Sequence, residues 1–439
     1  MSSLPPVKIG VLGLGTVGAS TIEVLQRNAD AITRRAGRAI EVVAASARDI
    51  KKSRPVDLSG IELTNDPFNV VNNDNVDVIV ELIGGTDPAR ELVVSALNSG
   101  KHVVTANKAL IALHGNEIFE VAHQANAIVA FEAAVAGAIP VIKAVREGLA
   151  GNRIEWLAGI INGTCNYILT AMSDEGRDFA EVLAEAQSLG YAEADPSFDV
   201  DGIDAAHKLT ILAAIAFGIP LQFDRVYIEG ISQISRVDVE YAKRLGYRIK
   251  HLGLANQGAT GIELRVHPTL IPERQILANV DGVMNAIMVS GDAAGPTLYY
   301  GAGAGGQATA SGVVADLVDV VRALNSHPQS RVPHLSFQPD ALAELPIIDM
   351  RDVQTSYYLR LAVLDQVGVL ADVTRILGNG GISIEAILQQ EPAGGAQPVP
   401  VIIVTHKVIE RAMNEAIVEI EALSQITSKI VRIRMEPLA

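Results

Sequence analysis

A short apolar run, residues 7–12 (VKIGVL), leads directly into Gly13-Leu14-Gly15-Thr16-Val17-Gly18, and apolar residues at helical spacing follow at Ile22, Val24 and Leu25. Strand, glycine turn and helix in that order restrict the fold strongly. The first glycine permits the tight turn, the second lets an anion reach the main chain, and the third lets helix and strand touch. The N–H groups at the helix start then face that anion. The pattern predicts an α/β Rossmann-like parallel sheet, with a dinucleotide phosphate held at Gly13, Gly15, Thr16, Val17 and Gly18. A plain strand-to-helix turn is the alternative, and the flanking pattern favours the dinucleotide. Strand and helix keep alternating to residue 132, with strands at 40–46, 76–82, 101–105 and 127–132 and helices at 88–99 and 109–124.

The second strand ends in Ser46-Ala47-Arg48-Asp49, followed by Lys51 and Lys52. An acid at that point grips the ribose 2′-hydroxyl of NAD, whereas a base meets the 2′-phosphate of NADP. Arg48 points to NADP and Asp49 keeps NAD open; a solvated charged turn is the plainer reading. Two later strands deliver Ile83-Gly84-Gly85-Thr86 and Ala106-Asn107-Lys108 to the same carboxyl edge of the sheet, where ligands of such folds bind. A second glycine-rich loop, 301–307 (GAGAGGQ), precedes a helix at 309–324 and offers either another N–H cradle or a hinge.

The densest chemistry lies in residues 191–220, YAEADPSFDVDGIDAAHKLTILAAIAFGIP. Glu193, Asp195, Asp199, Asp201 and Asp204 crowd its first half, and Lys208 sits just inside the apolar run that follows. Globular chains seldom set so much negative charge against a core helix without a use for it. Asp204 and Lys208 are four apart and so share a helix face, as a proton-handling pair or as a structural salt bridge. Asp195 precedes Pro196 and reads as a turn former, and Asp201 before Gly202 reads as a helix N-cap. The segment FEAAVAGAIP, 131–140, is small and apolar with one acid, Glu132. Close packing accounts for it on composition, although turn carbonyls there suit a hard cation.

At 439 residues the chain has room for two to four domains of about 150 residues each. A net charge of −15 without a basic run argues against nucleic acid. The single cysteine, Cys165, allows no internal disulfide and reads as a small buried residue, so a reducing, cytoplasmic setting is expected. The opening MSSLPPVKIG lacks a charged segment followed by an apolar one, so no signal peptide is expected. The longest apolar run, near 209–219, is far short of the ~20 residues of a membrane span. Beyond 140 the pattern becomes sheet-rich, with strands at 153–161, 248–255, 261–267, 283–290 and 297–300. Residues 325–352 read as a linker. Strands and helices from 357 onward follow the order βαββαβ, which is ferredoxin-like.

Taken together, GLGTVG, TANK at 105–108, FEAAVAGAIP, INGTCN at 161–166, YAEADPSFDVDGIDAAHKLTILA and YGAGAGGQATASGVVAD resemble segments of homoserine dehydrogenases of the longer form with a C-terminal ACT regulatory domain. The resemblance spans essentially the whole chain. It implies an NAD(P)-binding Rossmann domain over 1–140 completed by helix 309–324, an α+β substrate-binding and dimerisation domain over 141–308, a linker at 325–352 and an ACT domain over 353–439. It implies that Gly13, Gly15, Gly18, Thr86, Lys108, Gly163 and Gly305 line the nicotinamide cofactor. Glu193, Asp199 and Asp204 would meet the amino acid, and Lys208 would move the proton, with Asp204 and Lys108 in the catalytic set. The carbonyls of Val135, Gly137 and Ile139, with Glu132, would hold a monovalent cation, usually sodium.

The implied reaction interconverts L-homoserine and L-aspartate 4-semialdehyde in threonine, methionine and isoleucine biosynthesis. L-Threonine is the implied effector, at loops 365–368 and 379–381, and a homodimer or homotetramer is expected because ACT modules pair their sheets. The chemistry is consistent. A substrate ammonium wants carboxylates, and oxidation of its alcohol wants a base. A lysine serves as that base only when its pKa falls, which burial and a neighbouring cation promote. Another ACT-bearing dehydrogenase, of a 2-hydroxy acid, would want an Arg and a His–acid pair that the acid cluster lacks. A cofactor-sensing regulator without turnover would not need Lys208 among carboxylates.

Overall fold

The computed structural model describes residues 4–389 and 398–438. Residues 1–3, at the head of the segment read as lacking a leader, and 390–397 and 439, within the expected C-terminal domain, lie outside them. The chain forms two compact units. The first comprises Met1–Leu157, Ala206–Val226 and Asn285–Leu345, and the second Ala158–Ala205, Tyr227–Met284 and Pro346–Ala439.

In the first unit, six strands make one parallel sheet in the order Glu62–Thr64, Ile40–Ser46, Val7–Leu12, Val78–Glu81, His102–Thr105, Val129–Ala130. The inner strands are apolar on both faces and buried, as a sheet covered by helices requires. The strand order reverses between Val7–Leu12 and Val78–Glu81, so their carboxyl ends open the crevice where doubly wound sheets bind ligands. The helix Thr16–Arg27 and the late helix Gly306–Ala323 pack on each other and share one core cluster with Val7, Ile9 and Val11.

The expected strand 127–132 shortens to Val129–Ala130, followed by a 3-10 turn, Glu132–Ala134. Glu132 explains the early stop. Its side chain is buried, and its carboxylate accepts the N–H groups of Ile142 at 2.9 Å and Lys143 at 2.8 Å. It thus serves the first turn of the helix that starts at Val141, an end that otherwise has no side-chain cap. Residues 325–345 hold only 3-10 turns, yet Leu335 is buried and His334 stacks on Phe119 with ring centres 4.9 Å apart.

In the second unit, one mixed sheet runs Tyr247–Gln257, Ile262–Pro272, Val431–Met435, Gln354–Val363, Val399–Thr405, Ile384–Gln389. Tyr227–Ile228 and Val431–Met435 both pair in parallel with Ile262–Pro272, along the edge that Tyr247–Gln257 leaves open. The last four strands and the helices Val369–Asn379 and Glu410–Glu421 occur in the order strand, helix, strand, strand, helix, strand. Alternate residues divide between two cores. Tyr358, Ile402 and Val404 pack with Ile168 and Val239, whereas Tyr357, Leu359 and Ile403 pack under the two late helices. Among the described residues no helix is long and apolar enough to cross a membrane.

Candidate active site

The first unit supplies an anion cradle. Gly13 turns the chain at φ 99°, a region costly for other residues, and a Cβ on it would lie 2.8 Å from the Leu82 carbonyl oxygen. A Cβ on Gly18 would lie 2.0 Å from the Gly13 oxygen, so only glycine lets helix and turn meet. A Cβ on Gly15 would meet nothing within 4 Å, which leaves the main chain open to a ligand. No side chain caps the helix Thr16–Arg27 and no acid occupies its first turn, so its leading N–H groups are not claimed by a neighbouring carboxylate. The helix Gly306–Ala323, preceded by Gly305, shares both properties. A dinucleotide phosphate fits these donors.

Around the cradle, the structure adds residues that spacing did not reveal. Arg54 donates to the Leu14 carbonyl at 2.9 Å and to the Asp49 carbonyl at 2.9 Å, tying the second-strand loop to the glycine turn. Asp49 bonds the Lys51 N–H at 2.9 Å within its own turn, and Arg48 stands exposed. Glu81, fully buried, accepts Thr105 Oγ1 at 2.6 Å and the Ile83 N–H at 2.8 Å, and burial pushes its pKa up despite those bonds. Asn107 donates to the Gly85 carbonyl at 2.6 Å and caps the helix Lys108–Gln124 through Leu110 N at 3.1 Å. Glu81 and Asn107 therefore set the turn that leads to half-buried Thr86 and the helix start that bears half-buried Lys108.

In the second unit, Asn162 gathers two of the acids. Its Nδ2 donates to Asp199 Oδ1 at 2.7 Å and to Asp204 Oδ2 at 2.8 Å, while its Oδ1 accepts the Cys165 N–H at 2.8 Å and so caps Gly163–Glu175. Thr164 Oγ1 lies 3.1 Å from the other Asp199 oxygen. Glu193 is exposed on the same stretch, and Asp204 is only 4% exposed. Asp195 bonds Ser197 N at 3.1 Å and is a turn former, as expected. Asp201 ends the short helix Ser197–Val200, and Gly202 stands directly before the next, so the expected N-cap role for Asp201 is not realised. Gly163 owes its lack of a side chain to packing, since a Cβ would lie 2.8 Å from the Val283 oxygen. Cys165 is fully buried, as its size suggests.

The helix Ile203–Phe217 is apolar on nearly every side, and nearly all of it is buried. Asp204 and Lys208, one helical turn apart, interrupt that apolar surface, and Lys208 is 8% exposed. His207 belongs elsewhere, with its ring 4.4 Å from that of Phe223.

The loop after Glu132 reverses at Ala136 and Gly137, both in the left-handed region at φ 54° and 44°. Gly137 must be glycine for packing as well, because a Cβ would lie 2.9 Å from the Gly303 oxygen. Burial pushes Glu132 up to about 7, and Asp316, whose Oδ2 accepts the Glu132 N–H at 2.8 Å, is held well above the ordinary range by burial and by Glu132. Two buried acids beside a loop of main-chain oxygens suit a hard cation. The Ile139 carbonyl keeps one lone pair beyond its bond from Val141 N at 2.8 Å.

Comparison with known proteins gives a consistent picture. A family model described as homoserine dehydrogenase matches residues 140–318, and one described as homoserine dehydrogenase, NAD binding domain, matches 13–132. A homoserine dehydrogenase of Pseudomonas aeruginosa is 61% identical over 435 residues, covering 99% of this chain and 100% of its own. That of Neisseria gonorrhoeae is 51% identical over the same shares. The crystal structure of a homoserine dehydrogenase from Thiobacillus denitrificans is 60% identical, with a TM-score of 0.95 and 100% of both chains covered. A hyperthermophilic archaeal homoserine dehydrogenase in complex with NADPH is 30% identical with a TM-score of 0.62, over 72% of this chain and 98% of that one.

Proposed function

Because the chain belongs to the homoserine dehydrogenase family and is an oxidoreductase of that kind, we propose that it interconverts L-homoserine and L-aspartate 4-semialdehyde with Lys208 moving the proton and Glu193, Asp199 and Asp204 holding the amino acid. The observation that carries this reading is the Asn162 bridge between Asp199 and Asp204, at the start of the helix that bears Lys208. Like charges brought together by one amide are held ready for a cation, and the substrate ammonium is one. Lys208, on the same helix face as Asp204, takes the hydroxyl proton in oxidation and returns it in reduction. The low exposure of both groups excludes bulk water from that transfer.

A bound nicotinamide dinucleotide supplies hydride acceptance and donation. Gly13, Gly15, Thr16, Val17, Gly18 and Gly305 would hold its phosphates through main-chain N–H groups, and Thr86, Lys108 and Gly163 are the further residues read as cofactor-binding. Arg48 favours NADP, an assignment supported by the local use of Asp49 and by the NADPH bound to the archaeal relative. Glu132 with the carbonyls of Val135, Gly137 and Ile139 would hold a monovalent cation, sodium by preference, whose chemistry is structural: it neutralises a buried acid beside the glycine loop.

In this reading the domains run 1–140, 141–308 and 353–439, the last an ACT domain that binds threonine at loops 365–368 and 379–381. Ile384–Gln389 ends the sheet order among the described residues, which supports pairing with a second copy in a dimer or tetramer. Threonine titrated into the assay of the full chain and of Asn379→Ala tests the regulation; equal responses sink the loop assignment. The catalytic reading is tested by NADP reduction with L-homoserine. Lys208→Ala is expected to lower kcat by about 10²-fold or more. A variant that turns over normally ends the proposal.

A further inference from the structure

The substrate acids are backed by a segment of the same unit, residues 229–231. Val200, next to Asp199, gives its carbonyl to the N–H of Ile231 at 2.9 Å. The approach is close, because a Cβ on Gly230 would fall 2.3 Å from the Val200 oxygen and 2.7 Å from Asp201 Cα. Gly202, just before the helix with Asp204, lies against His251, whose ring a Cβ would meet at 3.2 Å. His251 Nε2 in turn bonds the Glu229 carbonyl at 3.0 Å. A carbonyl oxygen can only accept, so Nε2 is the donor, and burial lowers the pKa of this imidazole.

Two devices fix residues 229–231. One is main-chain pairing, in which Tyr227–Ile228 runs beside Ile262–Pro272 and Glu229 N donates to the Val266 carbonyl at 2.8 Å. The other is a buried charge. Glu229 Oε2 accepts Tyr227 Oη at 2.7 Å and Arg434 Nη1 at 2.8 Å. Arg434, on the last strand of the chain, is fully buried, bonds Glu410 through Nε at 2.9 Å and lies 4.8 Å over the Tyr227 ring. Glu410 is held as well by Tyr357 Oη at 2.8 Å. Replacing a whole buried ion-pair network by packed apolar side chains is often neutral for stability, so such a network is weak evidence for a purely stabilising role. The Nε–Nη2 fork of Arg434 grips Glu410, and with the guanidinium plane fixed in that way the remaining Nη1 sets the position of Glu229.

We propose that Arg434 is a positioning residue for the reaction: by clamping Glu229 it holds residues 229–231 against Val200, and so keeps Asp199 and Asp204 at the separation that Asn162 bridges. The proposal rests on the reading of those two acids as the substrate's counter-charges. It makes the C-terminal strand part of substrate binding even when no effector is present.

Glu229→Gln removes the charge and keeps the shape, Arg434→Lys keeps the charge and loses the fork, and Gly230→Ala displaces Val200 without touching the ion pair. Each is expected to raise KM for homoserine about ten-fold, with kcat and the cofactor KM within about two-fold. Glu229→Gln combined with Gly230→Ala should fall short of the product of the two single effects, as two cuts in one line of contacts do. Should Arg434→Lys fail to fold by circular dichroism, the other two variants decide. An unchanged homoserine KM in both, or parallel loss in kcat and both KM values, overturns the proposal. Asp199→Asn separates the two failures. If it raises KM while Glu229→Gln does not, the clamp alone is wrong; if it too leaves KM unmoved, the substrate reading falls with it.

Discussion

Asn162 uses its whole amide, with both hydrogens on carboxylates and its oxygen on the cap of Gly163–Glu175. A serine at this position still caps a helix well but reaches neither acid. Asn162→Ser should therefore raise KM for homoserine about ten- to a hundred-fold, the size of effect that losing hydrogen bonds to charged groups, about 1.5–3 kcal/mol, produces when it is felt in substrate binding. A lowered midpoint with unchanged KM would reduce Asn162 to a cap. The residue shows how far the sequence can be read. The acids of 191–204 stand out by crowding, and Lys208 by its charge in an apolar run. Asn162 looks like any turn residue, because its partners lie 37 and 42 positions downstream and only folding brings them together. Arg54 and Glu81 escaped notice for the same reason. Asp201 misled because an acid before glycine suits two helix boundaries equally, and here it closes the first.

The strand Val129–Ala130 ends the parallel sheet, and imidazoles on two other segments hold it. Ile128 N donates to His102 Nδ1 at 2.9 Å and Val129 N to His334 Nε2 at 3.1 Å. Both rings accept, so both must stay neutral. Burial, aided by Arg331 and, for His334, by Arg146, lowers each from the ordinary 6.5 to about 4. The folded state then binds these protons less readily than the unfolded chain does. Stability from the pair is complete above pH 6.5 and is lost as pH falls toward 4, by about 2 kcal/mol for each histidine after allowance for partial exposure. Thermal midpoints measured from pH 7 to pH 4.5 should fall, and His334→Gln, whose amide oxygen accepts at every pH, should flatten the slope. An identical slope in the variant would remove His334 from the account. Apolar period found this strand but overran it, because the residue that stops it, Glu132, is an acid turned inward to serve a helix start ten residues later.

The largest thing hidden from the sequence is how the end of the chain joins its middle. The βαββαβ order of the last 85 or so residues is legible from alternating strands and glycine stops. Nothing local announces that Val431–Met435 pairs with Ile262–Pro272, or that Arg360 reaches Asp238 at 2.6 Å. The expected boundary at 353 thus marks a change of topology within a shared core. Tyr358, Ile402, Val404, Ile433 and Met435 are buried against residues of 165–270. At about 1.5–3 kcal/mol for each side chain, the loss of these five is comparable to the net stability of an ordinary domain, about 5–15 kcal/mol. Removal of residues 353–439 should therefore not yield an unregulated enzyme. The 1–352 chain is expected to be insoluble or to lack a cooperative thermal transition, because the edge of Ile262–Pro272 and one face of its core become exposed. Size-exclusion chromatography and calorimetry of that fragment decide the matter. A monodisperse 1–352 with the parent's homoserine KM would show that the C-terminal strands only lean on the unit, and would count equally against a positioning role for Arg434. If the fragment fails to fold, its insensitivity to threonine carries no information, and regulation has to be read from point substitutions in the full chain.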